Sequence, residues 1–331
     1  MEEFVCWLVD KGSEGRISGG LEHRSIAALP AGEVLVEVRN SSLNYKDALA
    51  ATGNPGVAKR LPHVPGIDAT GIVVESGDAR FSPGQEVIVA GGEFGAGAWG
   101  GWSTLARAPA DLVIPLPAGL DLEEAALLGV AGFTAALSVK RLLDHGLSPG
   151  DGEVAVSGAT GGVGCIALMI LAALGFEVAA STGKKDRHEW LRGLGATRVV
   201  ERSELEAAAS APLLKSRWAG AVDTVGGTSL STLLRSTKIG GCVTACGLVA
   251  GSALELTVHP FILRGITLSG IDSAWTKREE RVEIWKRLAG PWKPSKLLDI
   301  SKTIDLAHVG PEVERILAGG VAGRTRIRIA G

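Results

Sequence analysis

Residues Glu153–Lys185 read EVAVSGATGGVGCIALMILAALGFEVAASTGKK, and the reading of this stretch decides the fold. Val154–Ser157 is a short apolar run, the pattern of a strand buried on both faces. Gly158, Gly161, Gly162 and Gly164 follow within the next turn of chain. Val163–Leu174 is an apolar helical stretch ended by Gly175, and Glu177–Ser181 is a second strand. Strand, glycine turn, helix and strand in this order make one half of a dinucleotide site. The turn needs glycine because the chain must bend tightly, admit a pyrophosphate to backbone N–H groups and pack helix on strand. The helix N-terminus then turns its partial positive charge to the phosphates. A glycine-rich turn in an unrelated α/β protein is the alternative, and the flanking strands and helix weigh against it.

Downstream the same rhythm continues. Further strands are expected to start at Arg198–Val200 and to run over Ala219–Val225, Gly241–Gly247 and Ile266–Ile271. Six strands with helices between them predict a doubly wound parallel sheet. Glu279–Leu288 reads as an amphipathic helix with Val282 and Trp285 inside. From Asp299 the pattern mixes strand and helix and ends in the alternating run RTRIRIA, expected to pair back onto the first domain.

Upstream the pattern is β-rich. Val34, Val36 and Val38 alternate with Leu35, Glu37 and Arg39. Ser41 and Asn44 suit a turn or helix start, and Asp47–Ala51 a short helix. Leu61–Glu75 leads into a strand that carries a lone acid, Asp68, between Ile67 and Ala69. Gly84–Ala90 is another strand. The glycine-rich loop Gly91–Gly101 has the composition of a mobile cleft rim. Trp102–Pro115 returns to strand character, and Leu120–Leu143 switches to a helical period broken near Gly129–Gly132. The first part of the chain is thus a barrel or sandwich by composition.

Length and composition bound the function classes. The chain has 331 residues, of which 46% are apolar and 21% charged, and a net charge of −2. Two domains with sizeable cores are expected, and no basic excess points to a nucleic acid. Cys6, Cys165, Cys242 and Cys246 are scattered; the close pair Cys242 and Cys246 reads as small core residues rather than metal ligands. The start MEEFVCWLVD carries acids where a signal peptide needs bases. The longest apolar run, Cys165–Phe176, is shorter than the ~20 residues that span a bilayer. A soluble, cytoplasmic protein with no membrane partner is expected.

SSLNYKDALAATG (Ser41–Gly53), VPGIDATGIV (Val64–Val73), AGFTAALSV (Ala131–Val139), SGATGGVG (Ser157–Gly164) and DTVGG (Asp223–Gly227) occur in this order. With them the chain resembles the zinc-free quinone oxidoreductase branch of the medium-chain dehydrogenase/reductase superfamily. WAGAVDTVGG, GGCVTACGL, HPFILRGITLSGIDS and the final GRT bring it nearest the YhdH/YhfP group, which includes acryloyl-CoA reductases. The resemblance covers nearly the whole length. It implies an α/β protein with a GroES-like β-rich catalytic domain made of both chain ends (1–122 and 299–331) and an inserted Rossmann domain (123–298). It also implies NADPH in a cleft between them and a homodimer joined through the Rossmann domains.

Position by position, the resemblance implies Tyr45 beside the nicotinamide and Thr160, Gly161, Gly162 and Val163 at the pyrophosphate. It places Thr182, Gly183, Lys184 and Arg198 at the adenosine ribose and its phosphate, and Leu248, Ile262 and Ser273 at the nicotinamide end. Near Ala318–Gly320 relatives carry a cofactor-contacting asparagine, and this chain has AGG. Lys184 replaces a frequent arginine, which keeps the charge and loses the bidentate fork. NADPH is expected over NADH, because Ser181-Thr182-Gly183-Lys184-Lys185 offers no carboxylate for ribose hydroxyls before Asp186.

Tyr45, Asp68 and Thr134 are the catalytic candidates. Tyr45 is the only tyrosine in the chain; an ordinary boundary tyrosine is the alternative. Asp68 reads equally as a structural hydrogen-bond acceptor, and Thr134 as a helix-start residue. No metal is expected: the early zinc slot reads Ser42-Leu43-Asn44-Tyr45, the second reads Pro65-Gly66-Ile67-Asp68, and three ligands cannot be assembled. No nucleophile elbow is present, so the chemistry is a bound cofactor's. Three readings follow: an NADPH-dependent reductase of an activated double bond, with acryloyl-CoA as substrate; a quinone reductase; and a non-enzymatic NADPH-binding protein. Lys59, Arg60, Lys277, Arg278 and Arg324 are the bases available to CoA phosphates, or else solvated surface charges.

Overall fold

The computed structural model describes residues 3–206 and 211–329. Ala330, which closes the expected terminal strand, lies outside them, as do Met1 and Glu2. The chain divides into two compact units, Met1–Val130 with Ala274–Gly290 and Leu297–Gly331, and Ala131–Ser273 with Pro291–Lys296.

In chain order the first unit contributes β1 (Glu3–Lys11), β2 (Ile17–Ser25), β3 (Val34–Ser42), α1 (Tyr45–Ala51), β4 (Asp68–Ser76), β5 (Glu86–Ala90), β6 (Leu105–Ala108) and β7 (Val113–Pro115). The helix α2 (Leu122–Asp144) carries the chain from the first unit into the second. The second unit holds β8 (Val154–Val156), α3 (Gly162–Ala173), β9 (Val178–Thr182), α4 (His188–Gly193), β10 (Arg198–Glu201) and α5 (Arg202–Glu206). It continues with β11 (Trp218–Asp223), α6 (Gly227–Ser236), β12 (Thr237–Ala245), α7 (His259–Arg264) and β13 (Thr267–Gly270). The first unit then takes α8 (Arg278–Leu288), β14 (Ser301–Asp305), α9 (Val309–Leu317) and β15 (Arg324–Arg328).

The first unit is built on a sheet of order β14-β15-β3-β4-β5-β7, with β6 also paired to β3, beside the β1–β2 hairpin. Its alternating valines do what the sequence asks: Val34, Val36 and Val38 are all fully buried and pack with Val73, Val87 and Val89. The last strand, β15, pairs antiparallel with β3 through Ile327 opposite Ser41, so the chain end belongs to the first unit's sheet. The second unit is a six-stranded parallel sheet of order β10-β9-β8-β11-β12-β13. Numbered from β8, that is the 3-2-1-4-5-6 order of the doubly wound dinucleotide fold.

Three features bear on the sequence reading. The segment 123–298 is not a single block of the second unit, because Ala274–Gly290 groups with the first. The reason lies in α8: Arg278 donates to the carbonyls of Val113 (2.6 Å) and Ala110 (3.3 Å), and the buried Arg281 donates to those of Ala90 and Leu112. The Gly91–Gly101 loop is packed rather than splayed. Gly100 and Gly101 donate to Val64 and Gly66 carbonyls (2.8 Å each), and Phe94 is buried. A Cβ on Gly101 would lie 2.8 Å from that of Ala69, so glycine here serves close approach. Finally, α2 is long and apolar enough to cross a membrane by length and composition, but most of it is buried in the protein and it breaks at Gly129.

Candidate functional site

The second unit presents its chemistry at the carboxyl ends of β8, β9 and β11. Gly158 adopts φ +57°, a left-handed conformation that side chains with a Cβ resist. Its carbonyl accepts from Gly161 N–H at 2.8 Å, which closes the turn. Gly161 caps α3 with extended backbone. A Cβ on Gly164 would come within 2.8 Å of Ala159 Cα, so this glycine lets the helix seat on the turn. Gly161, Gly162 and Val163 remain half exposed at the head of a helix whose body is buried. Their N–H groups could hold a pyrophosphate, whose charge the helix dipole would favour. Thr160 is buried below them, its hydroxyl 3.4 Å from that of Thr182.

Two residues missed in the sequence tie this turn to the neighbouring strand end. Between β8 and β11, where the strand order reverses, Ser157 Oγ donates to Asp223 Oδ1 at 2.7 Å. Thr224 N–H donates back to Ser157 Oγ (3.0 Å), and Gly226 N–H to Asp223 Oδ2 (2.8 Å). Both Ser157 and Asp223 are buried, and burial pushes the Asp223 carboxyl up against the pull of Ser157 and the backbone donors. The DTVGG segment is thereby pinned beside the glycine turn.

The adenosine end differs from expectation. Thr182 and Lys184 sit at the end of β9, where Lys184 N–H donates to Thr182 Oγ1 at 3.1 Å. Arg198 does not join them. It pairs with Ala179 in the parallel register, whereas Thr182 pairs with Glu201. Three residues of strand, about 10 Å, therefore separate Arg198 from the level of Thr182. Its guanidinium binds Glu153 and lies 5.5 Å over the Trp218 ring. The cation that does reach this end is Arg202, one residue past the strand: a Cβ on Gly183 would lie 3.0 Å from its Cζ. Burial pulls the Lys184 ammonium below its ordinary range, Arg187 and Arg202 push the same way, and Asp186 opposes them. Lys184, Arg187 and Arg202 thus bring three cations to this end, Arg187 beside Asp186 at 3.3 Å and Arg202 beside Glu206 at 3.9 Å. A signal for Arg202 was present in the parallel register, which sets strand ends, not strand starts, side by side.

Leu248 and Ile262 are exposed apolar residues of this unit, at 61% and 71% of full exposure, and Ser273 is half buried at the end of its Ala131–Ser273 segment. Thr134 is buried in α2, where its carbonyl accepts from Ser138 Oγ at 2.8 Å.

The first unit gathers a buried polar cluster behind Tyr45. Tyr45 opens α1 and is half buried. Asp68 is 2% exposed and accepts from Ser42 N–H (3.0 Å), Ser42 Oγ (2.8 Å), Asn44 Nδ2 (3.1 Å) and Val130 N–H (2.9 Å). The expected catalytic Asp68 is therefore corrected to a supporting acceptor, with both oxygens taken by donors of its own unit. Arg324 is likewise no surface base. It is 3% exposed and donates to Leu127 O (2.7 Å), Ser42 Oγ (2.8 Å) and Asn44 Oδ1 (3.1 Å). The helix break follows from this cluster. Gly129, at φ +49°, leaves the space that Asp68 Oδ2, Ser42 Oγ and Arg324 Nη2 fill, and Asp68 then caps the helix that restarts at Val130. Among the described residues no group of three or more His, Cys, Asp or Glu is placed to hold a metal ion. The four cysteines are free, and burial pushes Cys242 up to about 11.

Comparison with known proteins agrees with this layout. Residues 30–118 match the alcohol dehydrogenase GroES-like domain, and residues 162–289 match the zinc-binding dehydrogenase family. The chain is 43% identical to acrylyl-CoA reductase AcuI of Ruegeria pomeroyi, over 98% of this chain and 99% of that one. It is similar to the yhdH oxidoreductase of Salmonella enterica in complex with NADP: 44% identity, TM-score 0.95, covering 98% and 100% of the two chains. It is also similar to Bacillus subtilis YhfP, named as a candidate quinone oxidoreductase, at 43% identity over 91% of this chain and 92% of that one. The solved structure of yhfP with NAD bound superimposes with TM-score 0.96 at 40% identity, covering 99% and 100%.

Proposed function

The chain belongs to the AcuI–YhfP group of the medium-chain dehydrogenase/reductase superfamily, and from that premise we propose that it is an NADPH-dependent reductase of the double bond of acryloyl-CoA, yielding propionyl-CoA. The observation that carries this reading is the near end-to-end identity to an acrylyl-CoA reductase, joined to a nucleotide cradle whose adenosine end is cationic. What supports the cofactor on the chain's own terms is that Gly161, Gly162 and Val163 stay half exposed at the head of α3, and that Lys184, Arg187 and Arg202 bring positive charge for a 2′-phosphate. Gly161, Gly162 and Val163 would hold the pyrophosphate, and Thr160 and Thr182 would floor the site. Leu248, Ile262 and Ser273 would flank the nicotinamide. NADPH, when bound, supplies the hydride for the β-carbon of the substrate.

The protein's own task is then to stabilise the charge that develops on the thioester oxygen and to let a proton reach the α-carbon. Tyr45 is the residue for that role, as donor or as positioning group, since its phenol makes no hydrogen bond to another described residue. Thr134 serves as a second polar group, buried in α2. Exposed Arg60 and Lys277 are open to CoA phosphates; Lys59 is exposed too but pairs with Glu93 at 2.9 Å. We propose in addition that the enzyme works without zinc, as a cytoplasmic homodimer with no nucleic-acid or membrane partner. The sequence supports two parts of this: Ser42-Leu43-Asn44-Tyr45 and Pro65-Gly66-Ile67-Asp68 carry neither the Cys nor the His–Glu pair of a zinc site, and a net charge of −2 offers no basic excess to a nucleic acid.

The competing reading is a quinone reductase, favoured by the identity to YhfP. Loss of NADPH absorbance with acryloyl-CoA, with a simple quinone or with neither separates the readings. Turnover of acryloyl-CoA that falls about 10²-fold in Tyr45→Phe, with NADPH affinity nearly kept, is the expected result. Rapid quinone turnover with none of acryloyl-CoA would replace it.

A further inference from the structure

Asp47 is fully buried in the first turn of α1, and among the described residues every hydrogen-bond donor to its carboxylate is an N–H group. Oδ2 accepts from Asn44 N–H at 2.8 Å and from Asn44 Nδ2 at 2.9 Å. Oδ1 accepts from Gly66 N–H at 3.1 Å and Ile67 N–H at 2.8 Å. One side chain therefore joins two segments of the first unit: the helix start that carries Tyr45, and the turn that leads into β4. Asn44 and Asp47 stand on either side of Tyr45, so its backbone is held at both flanks. The Asn44 amide extends the grip to Asp68 Oδ2 (3.1 Å) and, through Oδ1, to Arg324 Nη1 (3.1 Å). Among the described residues the Tyr45 phenol has no hydrogen-bond partner, so its place follows from the backbone that this cage holds.

Only the carboxylate fits the four donors. A neutral carboxyl would set its O–H against one of the four N–H donors, and a carboxamide would turn its NH2 against two donors in either orientation. Burial and then the Asp68 carboxylate push the Asp47 acid up to about 7, opposed by the Asn44 and Ile67 donors. The cage thus holds a charge the interior resists, which is the arrangement of a group kept for where it places its neighbours.

We propose that Asp47 is a positioning residue, whose carboxylate fixes Tyr45 for turnover without itself touching cofactor or substrate. This rests on the reading that Tyr45 stands at the reacting atoms, and the experiment separates the two. Tyr45 is the only tyrosine, so full-length protein grown with ring-labelled tyrosine gives a tyrosine NMR signal from one residue. Asp47→Asn should shift or split that signal and lower kcat about tenfold or more on whichever substrate the wild type turns over, with KM for NADPH within about twofold. Asn44→Ser keeps a helix cap but loses the amide; it should move the signal the same way and carries the test if Asp47→Asn does not fold. A signal unchanged in the folded variants overturns the proposal, and so does a moved signal with kcat unchanged. Failure of the acryloyl-CoA reading shows in the wild-type assay, while the tyrosine signal still reports where Tyr45 is held.

Discussion

The Arg202 guanidinium lies against Gly183, so close that a Cβ added to the glycine would stand 3.0 Å from its Cζ. The cation that faces the end of β9 therefore comes from the first residue beyond β10, and Arg198, at the other end of that strand, is occupied by Glu153.

Arg202→Ala should weaken NADPH binding by about tenfold to a hundredfold and leave NADH binding nearly unchanged, the range for a lost charge-assisted bond to a phosphate. Arg198→Ala should leave both affinities close to wild type and cost only local stability. Titration calorimetry with the two nucleotides decides between the arginines. A large NADPH loss in Arg198→Ala alone would reverse the assignment.

The pH dependence of NADPH affinity should report Lys184. Its ammonium is pulled down by burial and by Arg187 and Arg202, and a bound 2′-phosphate favours the charged form. Binding then takes up a proton once the pH exceeds the lowered value. NADPH affinity should fall as pH climbs through that value, below the ordinary lysine range, while NADH affinity stays flatter. Lys184→Arg should remove the dependence, because guanidinium keeps its charge throughout. Calorimetry in buffers of different ionisation heat measures the proton uptake, and equal pH profiles for both nucleotides would contradict the idea.

Gly129→Ala should destabilise the first unit by about 1–3 kcal/mol, because the new methyl meets Asp68, Ser42 and Arg324 and the backbone is left-handed there. Gly146→Ala is the control: it also has positive φ, at +98°, but nothing lies within 4 Å of the added Cβ. Backbone strain alone should hold its cost to about 1 kcal/mol. Denaturant unfolding of both variants compares them, and equal losses would show that the buried cluster yields to the methyl.

The sequence by itself determined what depends on near neighbours in the chain. The glycine turn between Val154 and Val163, the buried run of α3, the alternating valines of β3 and the helical break near Gly129 were all legible, because spacing along one segment sets tight turns, periods and caps. The doubly wound sheet followed from the rhythm of strands and helices. What only the tertiary structure decided is which distant residues share a place. Arg202 rather than Arg198 reaches Lys184 because parallel register aligns Glu201 with Thr182. Asp68 and Arg324 turn from candidate catalyst and surface base into buried supports because Ser42, Asn44, Leu127 and Val130 supply their partners. Asp47 becomes the clamp on Tyr45 only once Gly66 and Ile67 fold over it. A buried charge must find donors wherever the fold brings them, and no local pattern in the chain records where that will be.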